Sequence, residues 1–168
     1  MRPFFYLIVY GFLGFVIERI INVVVLGYYY DNSVLYLPIQ PMYGVGVVLT
    51  LYAYKKLKTM SLGHMGLFVI MIVIAILSTM LSEHVSGTLY YQLYGRHLWD
   101  YRHTFETCSR PYTCIIPSSL FGILSLLTVV YIHPLIAYYL DRTPRVIVGS
   151  VIGVVAIDYV LTYGVNIR

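Results

Sequence analysis

Three carboxylates lie inside long apolar stretches of the sequence: Glu18, Glu83 and Asp158. A charge at the centre of a bilayer costs about 3 kcal/mol on insertion scales, so each group must be paired, protonated or in contact with water. Ionisable groups in membrane segments mark functional sites by default. The three residues therefore predict a polar pocket that binds a cation or a cationic solute, or that carries protons.

The alternative to such a pocket is an internal ion pair in which Arg19 neutralises one carboxylate. Arg19 follows Glu18 directly, and adjacent residues of a helix project about 100° apart. The Arg19 side chain is therefore expected to point away from Glu18 and to pair with a group on another helix.

The longest polar segment of the sequence covers residues 95–113. Four side chains there recur every three residues and could ligate a zinc-like ion, namely His97, Asp100, His103 and Glu106. This spacing is not an established metal signature, so we expect a solvated loop and no metal. The two cysteines of the chain, Cys108 and Cys114, lie near this loop. They would form a disulfide on the outer side of a membrane and would remain thiols in a reducing compartment.

The elements that position these side chains are expected to be membrane helices. Hydrophobic residues make up 60% of the 168 residues and charged residues 11%, whereas a soluble domain has about 25% charged residues. A membrane helix needs about 20 mostly apolar residues. The sequence predicts an all-α transmembrane helix bundle of about five spans in a single integral membrane domain, at residues 4–26, 39–54, 64–94, 115–140 and 146–165. The second span is short, and His133-Pro134 is expected to kink the fourth.

Basic residues favour one orientation of this multi-pass bundle. With five spans, one side carries Arg2, Lys55, Lys56, Lys58, Arg142 and Arg145, and the other carries Arg96, Arg102, Arg110 and Arg168. The positive-inside tendency then makes the first side, with the N-terminus, cytoplasmic. The net charge of +4 comes without a long basic run, so no nucleic-acid partner is expected. The chain contains no phosphate-binding Gly-Lys-Ser/Thr loop or paired-cysteine motif, so no cofactor is expected either.

Small residues recur at helical spacing in two of the spans. Ser78, Ser82 and Ser86 repeat in the third span, and Gly149 and Gly153 in the fifth. Such stripes allow helix backbones to approach closely in lipid. They predict contacts either inside the bundle or with a membrane partner or a second copy of the chain.

Several short motifs occur in an order and spacing that resemble one family. They are Tyr10-Gly11-Phe12-Leu13-Gly14-Phe15-Val16-Ile17-Glu18, Leu37-Pro38-Ile39-Gln40-Pro41-Met42-Tyr43-Gly44-Val45-Gly46, Glu83 with Gly87, Trp99-Asp100-Tyr101, Ser118, Phe121-Gly122 and His133-Pro134. Over about residues 4–140 the chain resembles the CmpB-type family of small polytopic membrane proteins, which carries the label of ABC-transporter permeases. It departs from that family at Phe15, near which the family usually has Trp, and at Arg19, where a basic residue is rarer.

The resemblance implies a transporter component in a membrane and, through its label, a separate ATPase subunit. It also implies that Trp99, Asp100 and Tyr101 join the three carboxylates in a ligand- or ion-binding site. The residues that would support this site are Arg19, Tyr43, Gly87 and Ser118.

We therefore predict a transporter permease, or a substrate-binding membrane subunit, with an intramembrane acidic pocket. One alternative is a membrane-embedded enzyme that acts on a lipid or headgroup, with Glu83, His84, Asp100 or His103 as general acid or base. No recognised catalytic constellation is present, which makes an enzyme the less favoured interpretation. The other alternative is a structural or assembly subunit whose contacts are the small-residue stripes.

Overall fold

The computed structural model describes residues 2–27, 29, 33–60, 63–103 and 106–164, and the regular elements in these residues are all helical. The α-helices are α1 (Arg2–Ile21), α2 (Pro41–Leu57), α3 (His64–Tyr94), α4 (Ile115–Leu127), α5 (His133–Arg142) and α6 (Arg145–Tyr159). Three π-helical turns follow α1, α4 and α6, at Asn22–Leu26, Thr128–Ile132 and Val160–Gly164, and a 3₁₀ turn covers Tyr101–His103. The predicted all-α fold class is confirmed.

Four of these helical stretches are long and apolar enough to cross a membrane: Arg2–Val24, His64–Tyr94, Ile115–Arg142 and Arg145–Gly164. They correspond to the first, third, fourth and fifth predicted spans. The second predicted span, 39–54, is the 17-residue helix α2. At 1.5 Å per residue it extends about 26 Å, somewhat less than the hydrocarbon core of a typical bilayer. Val165, the predicted end of the last span, and Arg168 lie outside the described residues.

The chain divides into two compact units, one formed by Met1–Gly44 with Ala137–Arg168 and the other by Val45–Ile136. The prediction of a single membrane domain stays a prediction. In the first unit, α1 packs against α6. The non-helical segment 33–40 packs against these helices through a small apolar cluster of Leu35, Ile39 and Val155.

Glycines of α1 allow the chain before α2 to lie directly against it. The Gln40 amide donates a hydrogen bond to the Gly11 carbonyl at 3.1 Å. The Tyr43 side chain lies where a Cβ on Gly14 would be. Since Pro38 and Pro41 disfavour helix in the residues before them, this segment stays non-helical until α2 begins.

In the second unit, α3 and α4 form the largest helix–helix contact, around the buried side chains Met71, Ala75 and Leu126. The closest approach is at Gly122, where a Cβ would be 2.7 Å from the Ile76 Cα. Polar side chains connect α4 to α2, since Ser125 Oγ donates to Thr50 Oγ1 at 3.1 Å. Such interhelical hydrogen bonds stabilise packing in lipid, where apolar burial contributes little.

The irregularity predicted at His133-Pro134 takes the form of the π-helical turn Thr128–Ile132. Pro134 has no amide hydrogen and its ring crowds the preceding turn. The helix widens before it, so that the His133 amide donates to the Thr128 carbonyl, five residues back. Turns of this kind locally change the direction of side chains along a helix.

Candidate functional site

Glu83 is a fully buried carboxylate in the second half of α3, with 0% of its surface exposed. It accepts a hydrogen bond from Ser118 Oγ at 2.6 Å and one from the Tyr101 hydroxyl at 3.0 Å. Three oxygen-bearing side chains therefore meet inside the second unit. Both donors were named with Glu83 from the family resemblance, and the structure brings all three together.

The partners of Glu83 come from elements far apart in sequence. Ser118 lies in the first turn of α4, and its amide donates to the Cys114 carbonyl at 3.0 Å. Tyr101 lies in the 3₁₀ turn of the polar loop. The Tyr101 amide donates to the Pro111 carbonyl at 2.8 Å, so this loop folds back on itself. The loop thereby holds a phenol hydroxyl against α3.

One turn beyond Glu83, Gly87 makes room for an aromatic cluster. The Tyr112 ring occupies the space that a Cβ on Gly87 would take. The indole Nε1 of Trp99 donates to the Tyr112 carbonyl at 3.3 Å, and Nδ1 of His97 is 2.8 Å from the Tyr112 hydroxyl. The pKa of the Tyr112 phenol is raised, mainly because the group is buried. Tyr112 therefore connects the loop to α3 just beyond the carboxylate.

A disulfide joins Cys108 to Cys114, with their Cα atoms 5.3 Å apart. It closes the short stretch of the loop that leads into α4, and both cysteines are buried. The bridge therefore fixes the approach to Ser118. Disulfides of this kind persist in oxidising compartments.

Asp100 faces a neighbouring cation in the loop. The Arg102 guanidinium donates hydrogen bonds to the Asp100 carboxylate, with Nε 3.0 Å from Oδ1. These bonds lower the pKa of Asp100 to about 2. Among the described residues, no group of three or more His, Cys, Asp or Glu side chains is placed to hold a metal ion. Asp100 is thus a partner of Arg102, whereas its neighbour Tyr101 contacts Glu83.

Replacing Arg102 by glutamine is expected to raise the pKa of Asp100 from about 2 toward the ordinary value near 4. A folded-state pKa below the unfolded one stabilises the loop above about pH 4, and this contribution is lost as the pH falls toward 2. Carbon-13 NMR titration of the Asp100 carboxyl in micelles measures the change. Arg110→Gln, an exposed residue of the same loop, is the control. If the pKa of Asp100 rose equally in both variants, the net charge of the loop and not the Arg102 hydrogen bonds would set that pKa.

In the first unit, Glu18 and Arg19 are both buried and form an ion pair, with Arg19 Nη1 3.3 Å from Glu18 Oε2. The expectation that Arg19 points away from Glu18 is wrong, because its long side chain reaches back across the 100° that separates the two residues. Arg19 Nη2 also donates to Ser33 Oγ at 2.9 Å. Its guanidinium lies 4.5 Å from the centre of the Phe15 ring. The two departures from the family pattern therefore contact each other.

The Asp158 carboxylate, on α6, accepts hydrogen bonds from backbone amides. Its Oδ1 accepts from the Tyr36 amide at 3.1 Å, and its Oδ2 from the Leu37 amide at 2.8 Å. Thr162 Oγ1, one turn further along, donates to Oδ1 at 3.2 Å. The carboxylate thus satisfies two amides of the non-helical segment that precedes α2.

Comparison with known proteins assigns the chain to a family. A family model described as "Putative ABC-transporter type IV" matches residues 5–163. The chain belongs to this family. The predicted family resemblance is confirmed, and the match extends it from residue 140 to include α6. Comparisons with curated proteins and with solved structures gave no significant match.

A member of this family with these apolar helices is a multi-pass, transporter-related membrane protein. Of the residues predicted for its site, Glu83, Tyr101, Ser118 and Gly87 lie together in the second unit, as do Trp99 and Asp100 in the adjoining loop. Glu18, Arg19, Tyr43 and Asp158 lie in the first unit. A pocket shared by the three carboxylates stays a prediction.

Sequence reasoning missed Tyr112 and the small buried residues Ala75 and Thr79 of α3. The predicted stripe member Ser82 is buried with them, whereas Ser78 and Ser86 are only half-buried. The available signal was the spacing of Ala75, Thr79, Glu83 and Gly87, which repeats every four residues and marks one helix face. For Tyr112 no signal of this kind exists, because its contact with Gly87 is long-range.

Proposed function

We propose that this family member is the permease subunit of a transporter, and that Glu83 binds the transported or coupling cation or proton. The observation that supports this most is the complete burial of a carboxylate within a candidate membrane helix. Ionisable side chains in such positions line ion pathways and proton relays in other membrane proteins. A separate ATPase subunit, which the family description suggests, would supply the energy for transport.

The surroundings of Glu83 suit a positively charged ligand. The carboxylate, Ser118 Oγ and the Tyr101 hydroxyl are all oxygen donors, the type that hard cations prefer. Both hydroxyls can rotate their hydrogens, so each can either donate to the ionised carboxylate or turn a lone pair toward a cation. Alternatively, a proton on Glu83 would convert the carboxylate into a donor. The same three oxygen-bearing side chains would therefore serve a bound cation or a carried proton.

Access to the site would be controlled by the polar loop. Tyr101 contributes its hydroxyl from the 3₁₀ turn, and the Tyr101–Pro111 bond, the disulfide and the Asp100–Arg102 pair hold this turn. Displacement of Tyr101 would remove the contact that the loop makes with Glu83. The loop is thus positioned to act as a cover over the carboxylate.

Replacing Glu83 by glutamine is expected to reduce cation flux at least tenfold, because glutamine has nearly the same shape but cannot ionise. Proteoliposomes containing the full chain are loaded in turn with a pH-sensitive dye, with radioactive sodium and with a quaternary ammonium ion. Glu106→Gln, in the exposed part of the loop, is the matched control. Equal flux of the transported probe in both variants would contradict the proposal.

A second measurement removes the need for an ATPase partner. Hydrophobic carbodiimides react with protonated carboxyl groups buried in membranes, so Glu83 should be labelled in detergent-solubilised protein. The cation that is bound should slow this labelling, whereas the labelling of Glu106 should not change. Glu18→Gln in the flux assay further tests whether the first unit contributes to the predicted acidic pocket.

A further inference from the structure

A cavity of about 380 Å³ opens beside the C-terminal end of α2, within the second unit. Its apolar lining residues are Leu51 of α2 and Val129 and Val130 of the π-helical turn Thr128–Ile132. Its basic and polar lining residues include Lys55, Lys58 and Thr59, where α2 ends. Apolar and basic side chains in one cavity are the arrangement that an amphiphilic anion requires.

The two lysines are available for a ligand. Both are exposed, and neither forms an ion pair with a carboxylate in the part of the chain that the structure describes. Lys58 Nζ lies 5.7 Å from the centre of the Tyr54 ring, so Tyr54 helps to orient its ammonium group at the cavity. Lys56 lies between them in sequence but does not line the cavity.

The end of α2 does not cancel this positive charge. The last carbonyls of a helix carry a partial negative charge of about half an electron. Here the Tyr54 carbonyl accepts from the Lys58 amide, and the Lys56 carbonyl accepts from Thr59 Oγ1 at 2.7 Å. Two full charges therefore outweigh a partial one that is already hydrogen-bonded.

The π-helical turn Thr128–Ile132 forms part of the cavity wall. It supplies Val129 and Val130, and Pro134 and the buried His133 follow it directly. The widened turn is a feature of the helix backbone, so the cavity wall that it forms does not depend on a mobile side chain.

We propose that this cavity binds the headgroup of an anionic phospholipid. The phosphate would contact Lys55 and Lys58, and the first part of an acyl chain would lie on Leu51, Val129 and Val130. Lysine binds phosphate as a compact point charge, and basic pockets between membrane helices bind anionic headgroups. Lys55 lies in the last turn of the apolar helix α2 and Lys58 follows it directly, which is where a chain meets the headgroup layer. A free phosphate would leave the apolar side chains of the cavity in contact with water.

Native mass spectrometry of the delipidated full chain in neutral detergent tests this. The probes are phosphatidylglycerol, phosphatidylcholine and inorganic phosphate. Phosphatidylglycerol should bind roughly 30-fold more tightly than phosphatidylcholine, from two lysine contacts, and more tightly than inorganic phosphate, which does not cover the apolar side chains. The double variant Lys55→Gln/Lys58→Gln should lose the preference over phosphatidylcholine, whereas Lys56→Gln, which removes one charge nearby, should change affinity less than about threefold.

Three results would overturn the proposal. Equal affinity for phosphatidylglycerol and phosphatidylcholine would exclude recognition of charge. Equal loss in Lys56→Gln and in either single variant at Lys55 or Lys58 would show that general surface charge is responsible. Inorganic phosphate binding as tightly as the lipid would assign the site to the free anion. All substitutions are at exposed positions, and circular dichroism checks that each variant remains helical.

Discussion

Asp158→Ala is expected to lower the free energy of unfolding by about 3 kcal/mol, one of the two largest effects predicted for this chain. The substitution leaves the amides of Tyr36 and Leu37 without the acceptors that Asp158 provides. A polar group left unsatisfied away from water costs about 1–3 kcal/mol, and bonds to a charged acceptor are at the upper end. The non-helical segment before α2 should therefore detach from α6.

Two further variants distinguish the contribution of these amide bonds from that of the Thr162 hydroxyl bond. Thr162→Val removes one hydroxyl bond to the same carboxylate and should cost about 1 kcal/mol. Asp158→Asn keeps one acceptor oxygen and should fall between the other two. Equilibrium unfolding in mixed micelles, followed by circular dichroism, measures all three. If Asp158→Ala cost no more than Thr162→Val, the two amide bonds would contribute nothing.

The long apolar helices were predictable because hydrophobic length alone defines them. The third span was predicted at residues 64–94, and α3 is His64–Tyr94. Its end is set locally, since Gly95 adopts a left-handed conformation with φ of 66° and its amide bonds to the Tyr91 carbonyl. Local chemistry of this kind is visible in a single sequence.

The bounds of α2 were harder to predict. The lysines at 55 and 56 suggested an end at 54, but α2 continues to Leu57 because lysine is a good helix former and polar side chains are tolerated at a helix end. Of these two lysines, Lys55 lines the cavity. A charged residue in the sequence therefore identifies a chemical group, but it does not identify the last residue of a helix.

For the site, the sequence identified chemical types but not partners. Glu83 was singled out because it interrupts an apolar run, whereas Ser118 and Tyr101 became candidates only through the family resemblance. Helical periodicity specifies which residues share a face, and it contains no information about which other helix covers that face. The contact of Glu83 with a residue 35 positions away therefore required the structure.

Asp158 shows the opposite difficulty. Its position in an apolar span predicts a ligand-binding carboxylate, yet its oxygens accept hydrogen bonds from backbone amides. A signal was present in Pro38, because a proline keeps the preceding residues out of a helix and leaves their amides without helical acceptors. A buried carboxylate elsewhere is one way to satisfy them, but the sequence cannot indicate which carboxylate it is.

Gly122→Leu is expected to cost about 3 kcal/mol of unfolding free energy, because a side chain there would collide with backbone. A Cβ on Gly122 would be 2.7 Å from the Ile76 Cα and 2.8 Å from the Ile76 nitrogen. Backbone atoms of a packed helix cannot rotate away as a flexible side chain can. The helices α3 and α4 would have to separate at their closest approach.

Separation at Gly122 should also disturb the candidate site. Ser118 lies one turn before Gly122 on α4, and Glu83 lies seven residues, about two turns, after Ile76 on α3. The two pairs therefore share one interface, and the 2.6 Å bond between Ser118 and Glu83 depends on the approach that Gly122 permits. We expect Gly122→Leu to lower cation flux along with stability.

Gly153→Leu is the matched control for this prediction. It is also a glycine in a candidate membrane helix, but a Cβ there would meet nothing within 4 Å among the described residues. Leucine favours helix over glycine by about 1 kcal/mol at both positions, so the difference between the two variants isolates the steric collision. Unfolding in mixed micelles should show destabilisation for Gly122→Leu and none for Gly153→Leu. Equal unfolding free energies would mean that α3 and α4 can move apart without cost, and Glu83 would then lack the rigid neighbour that a selective binding site needs.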